Sequence, residues 1–156
     1  MRSLALLCLL ASTAHAERPI HGSIAAGGTF VLTGSDGDRF RNEVSADIKP
    51  WSRYGAIIGW RAFDEASLGD GEHDGMLTAG IVFEAGAARP RLVLDLVGEV
   101  GWDLDQKAPL AGAGIRNTIG VIGPLAVVLH SSLYIVIDGG DTRVHLQGNA
   151  LVGLRW

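Results

Sequence analysis

The chain has 156 residues, 22 of them glycine, and a formal net charge of −4. Its Lys and Arg are interleaved with acids throughout, so nucleic acid is not expected as a partner. One cysteine gives no disulfide framework, and the length is that of a single domain.

The first sixteen residues read as an export signal. Arg2 supplies the positive start, Leu4 to Ala11 the short apolar stretch, and Ala14-His15-Ala16 a small-x-small cleavage site. The lone Cys8 lies inside this stretch as apolar filling, preceded by Leu7, which is too large for a lipid-attachment site. Cleavage after Ala16 leaves 17–156 as one β-barrel domain. In that part the most apolar stretch, Leu125 to Ile137, is too short to cross a bilayer as a helix.

From residue 20 onward the pattern has period two. Strands are predicted at 20–33, 39–50, 53–64, 75–85, 91–104, 110–122, 125–138 and 143–156. In the fifth, Leu92, Leu94, Leu96, Val100, Trp102 and Leu104 alternate with a face that carries Arg91, Asp95, Glu99 and Asp103. In the eighth, Val144, Leu146, Ala150, Val152, Leu154 and Trp156 oppose Arg143, His145, Gln147, Asn149 and Arg155. Connections after strands 2, 4 and 6 are tight. Those after strands 1, 3, 5 and 7 are generally longer and acidic, including Asp64 to Asp74. The expected fold is all-β: an eight-stranded antiparallel up-and-down transmembrane barrel with short periplasmic turns and longer acidic external loops.

Alternation alone does not say which face meets lipid; the aromatic residues do. Phe30, Phe40, Trp60 and Trp102 fall toward the long-loop rim, and Tyr54, Phe83 and Trp156 toward the short-turn rim, all on the apolar face. Two such belts are what a bilayer selects, whereas a soluble barrel buries its large rings through the core. The polar face then lines a narrow lumen whose charges must pair. Its expected network comprises Arg41, Glu43, Arg61, Asp95, Glu99, Arg116, His130 and His145. Asn42 and Asn117 fall on the apolar face, Asn117 near the middle of its strand, and a register break or β-bulge would correct them.

These features resemble the small eight-stranded outer-membrane barrels of the OmpA transmembrane-domain and OmpX type. The resemblance implies a bacterial outer-membrane location, reached through the periplasm, with outer-membrane lipids around the wall. The alternate residues Val152, Leu154 and Trp156 look like the C-terminal signal read by the outer-membrane assembly machinery.

Other chemistry is weakly supported. His21, His130 and His145 face inward but lie at different heights, so no shared metal is expected. His130 and Ser132 resemble the His-x-Ser pair of lipid A deacylases, yet i and i+2 side chains stand side by side and here point inward. Asp70-Gly71-Glu72-His73-Asp74-Gly75 partly matches a calcium loop, but Ile81 replaces the closing Glu; a looser divalent-cation contact is the residual reading. Gly112-Ala113-Gly114 lacks the third glycine of a dinucleotide site and suits a crowded lumen. The expectation is a structural, anchoring or surface-interaction barrel with no catalytic role, no cofactor, no metal, no general pore and an unidentified surface partner. The alternatives are a soluble lipocalin-like or avidin-like carrier, a lipid A-modifying enzyme, or a narrow ion-conducting lumen.

Overall fold

The computed structural model describes residues 20–31, 40–51, 53–63, 75–87, 91–104 and 107–156. The proposed export signal and the loop Asp64 to Asp74 lie outside them. Eight strands close into one antiparallel barrel: β1 (His21–Val31), β2 (Phe40–Trp51), β3 (Tyr54–Phe63), β4 (Gly75–Gly86), β5 (Leu92–Asp103), β6 (Ala108–Ile122), β7 (Leu125–Asp138) and β8 (Asp141–Arg155). Each strand pairs with its sequence neighbours, and β8 pairs with β1, so no edge remains unpaired.

The strand bounds fall within two residues of the sequence expectation, and two of the differences bear on the connections. β6 starts at Ala108, with Pro109 opposite Trp102 near the strand end, where a missing N–H is tolerated. The connection after β7, expected to be longer, is a two-residue hairpin. Asp138 pairs with Asp141 across Gly139 and Gly140, whose φ values of 52° and 135° suit glycine.

The strands are strongly staggered. The register runs Gly22, Ile48, Ala56, Ile81, Gly98, Ala113, Leu133, Leu146, and returns to β1 one step above the Val31–Gln147 pair, ten residues above its start. For eight strands this stagger corresponds to a tilt of about 40°. Height therefore changes by about 2.5 Å per residue along a strand and about 3 Å per strand around the wall.

The tilt explains the two asparagines, and no bulge is needed. The register shifts lie at the short-turn rim, after Ile48, Glu84 and Gly120. Asn117 pairs in regular register with Leu94 and Leu129 and stays on the outer face. From Phe83 the register climbs through Leu96 to Ile115, and Asn117 lies two residues lower, which brings it level with Phe83. Asn42, opposite Gly28, is exposed close to the height of Phe30. Both amides thus sit at aromatic-belt level.

Candidate functional site: a filled, charged lumen

Strand parity sends one set of side chains inward, where they stack in layers. Asp47 and Arg116 begin the lower layer, their charges meeting at 3.2 Å across the barrel. Arg116 also donates to Ser45 Oγ (2.9 Å) and Ser23 Oγ (3.1 Å), and the Ser23 hydroxyl donates to Asp47. Lys49 on β2 reaches Asp95 on β5 at 2.7 Å and lies 3.6 Å from Asp47. Two acids and two bases thus balance in a space removed from water. Below them, His21 lies 3.3 Å from Glu84 at the short-turn rim.

Level with Asp47 and Arg116 and just above them, the lumen carries an apolar waist. Ile57, Val82 and Val97 cluster on one wall, and Ala25, Val128 and Leu151 on the opposite wall. The register places all six within about 4 Å of one height.

The upper charged layer is built around Glu43 and Glu99. Arg61, fully buried, donates through Nε to Glu43 at 3.0 Å and lies 3.8 Å from Glu99, with its guanidinium 5.0 Å from the centre of the Tyr134 ring. Glu43 also accepts from Thr29 Oγ1 (2.9 Å) and from the Asn149 amide. Glu99 accepts from Thr78 Oγ1 (2.7 Å) and from the Tyr134 hydroxyl. His130 stands between the two acids, with Nδ1 3.9 Å from Glu43 and Nε2 3.9 Å from Glu99. Met76, Ala108, Leu110, Tyr134 and Val136 form a buried apolar cluster above, toward the long-loop rim. The interior is crowded enough that a Cβ at Gly112 would collide with the Tyr134 ring.

Of the expected network, Glu43, Arg61, Asp95, Glu99, Arg116 and His130 are buried in the lumen. His145 is half-buried opposite Tyr134 near the upper rim, far from His21. The Arg41 side chain lies outside the described residues. Lys49, Asp47, Tyr134 and Asn149 belong to the same layers but were not singled out for the network. Strand parity puts them on the inward face, and the tilt decides which of them meet. Ser132 and His130 are both buried inside the wall. Among the described residues no group of three or more His, Cys, Asp or Glu side chains is arranged to hold a metal.

The outer wall is the reverse of the lumen. Leu96, Ile135 and Leu154 point outward and exposed, while Asp95, Glu99 and Arg116 point in. Phe30, Trp60 and Trp102 form the upper belt, and Tyr54, Phe83 and Trp156 the lower one. The Tyr54 and Phe83 rings pack with centroids 5.0 Å apart. The Phe40 side chain lies outside the described residues. Val152, Leu154 and Trp156 lie exposed on the same face.

A charged, filled interior inside an apolar, belted exterior is the inverse of a soluble barrel. The fold is that of the small eight-stranded outer-membrane barrels. A designed transmembrane β-barrel is similar at a TM-score of 0.60 with 11% identity, covering 89% of this chain and 98% of its own. Neisserial surface protein A matches at a TM-score of 0.52 and 11% identity, over 87% of this chain and 95% of its own. The Yersinia pestis outer membrane protein Ail, solved in a phospholipid bilayer nanodisc, matches at a TM-score of 0.50 and 10% identity, over 87% and 99%. No protein-family model matches the sequence, and no curated protein does.

Proposed function

We propose that this chain resides in the bacterial outer membrane as a structural, anchoring or surface-interaction barrel, without a general pore and without catalysis. The observation that carries the reading is the orientation of the wall, with paired charges inside and an apolar band between two aromatic belts outside. Such a surface is stable only where hydrocarbon replaces water. The export signal and the outward Val152, Leu154 and Trp156 accord with passage through the periplasm and delivery by the assembly machinery.

The layered lumen argues against solute passage, because a permeant would have to part the ion pairs and the waist between them. A soluble carrier lined by its apolar face would need the opposite orientation. The lipid A-modifying reading loses support because Ser132 and His130 face the lumen instead of the lipid.

Cell fractionation with outside labelling of the loop Asp64 to Asp74 tests the location. An outer-membrane pool, a heat-modifiable gel shift and a silent planar-bilayer recording are expected. Recovery as a detergent-free soluble monomer would overturn the reading, and sustained conductance would overturn the sealed lumen.

A further inference from the structure

One part of the outer wall is recessed. Leu92, Leu94 and Asn117 are half-buried, whereas their outward neighbours Leu96, Ile115 and Ile119 are exposed. With Gly86 and Ala87 they line a hollow of about 330 Å³. Its origin is local: the register shifts between Glu84 and Gly86, so the end of β4 bends, and Gly86 then stands opposite Leu94 with no side chain. A Cβ at Gly86 would meet nothing within 4 Å.

We propose that this hollow binds a glycerophospholipid of the leaflet on the short-turn side; the proposal rests on the membrane reading above. Three observations select this occupant. The lining by Leu92, Leu94 and Ala87 is apolar, as an acyl chain requires. The Asn117 amide is level with Phe83 in the lower belt, the height at which hydrocarbon gives way to ester and phosphate oxygens. The amide brings two N–H donors and one acceptor to that boundary and makes no side-chain hydrogen bond among the described residues. An amide facing lipid is costly unless it finds a partner, and a glycerol ester carbonyl supplies one.

The test uses the full chain reconstituted in nanodiscs of phosphatidylethanolamine with a minority of phosphatidylglycerol, then released for native mass spectrometry. Gly86→Leu fills the hollow, Asn117→Leu removes the amide, and Gly148→Leu fills an equally open outward glycine on β8 as a control. The wild type and Gly148→Leu should retain bound phospholipid, and the other two variants should retain about tenfold less, a loss of about 1.4 kcal/mol. Equal retention in all four proteins, each giving the heat-modifiable shift of a folded barrel, would overturn the proposal and leave the membrane reading standing. A dimer mass that disappears in Asn117→Leu would overturn it in favour of a second copy in the hollow. A wild type that neither inserts nor shows the gel shift would remove the membrane reading, and this proposal with it.

Discussion

Ile57 and Ile58 are consecutive on β3, yet Ile57 is sealed in the waist at 2% exposure while Ile58 is 60% exposed on the outer wall. The same side chain therefore meets two different solvents one residue apart. Inside, it fills a fixed space between two layers of paired charge. Outside, it fits whatever fluid surrounds the barrel, and no protein atom need match its shape. The comparison teaches that apolar character in this wall is required by packing on one face and by the surroundings on the other.

The largest break in that contrast is expected from Arg61→Ala. It leaves Glu43 and Glu99 buried in one layer without their shared guanidinium, and removing one partner of a buried pair costs about 3–5 kcal/mol. Urea unfolding from lipid vesicles measures it. A change within error would mean that water reaches the upper layer.

Ile58→Arg addresses the other face. Near mid-height on a lipid-facing wall an arginine costs about 3 kcal/mol, whereas on a wall facing water the substitution would be nearly neutral. The same unfolding assay, run for Ile58→Arg beside the wild type, separates the two solvents.

Ile57→Ala should cost about 2 kcal/mol or more, because the waist leaves a cavity that neighbouring strands cannot collapse to fill. Ile58→Ala should cost clearly less if, as proposed, mobile lipid fills the vacated volume. Equal losses for the two alanines would erase the distinction between packed and fluid surroundings.

The smallest effect belongs to the lower belt. A double-mutant cycle on Tyr54 and Phe83, measured as the coupling in unfolding free energy, should return about 0.5–1.5 kcal/mol for the ring contact. Zero coupling would reduce the pair to two independent interfacial anchors.

Much of the architecture is legible locally. Alternation in Leu92 to Asp103 and in Val144 to Trp156 fixes which residues share a face, because side chains on a strand alternate whatever the strand pairs with. The aromatic belts follow from the same parity combined with position along each strand. Asn117 shows where this stops: mid-strand in the sequence, it comes level with Phe83 only because neighbouring strands are displaced along the barrel axis. The hollow beside it was equally hidden, since it depends on a register shift at the end of β4 and on Gly86 standing opposite Leu94.

The sequence by itself determined the strand count, the inward and outward sets, and the surplus of ionisable groups on the inward face. The tertiary structure alone decided that Lys49 meets Asp95, that Asp47 meets Arg116, and that His130 stands between Glu43 and Glu99. The physical reason is the stagger: closing eight strands at a tilt brings together residues from β2, β5, β6 and β7 whose separation along the chain carries no information about their common height.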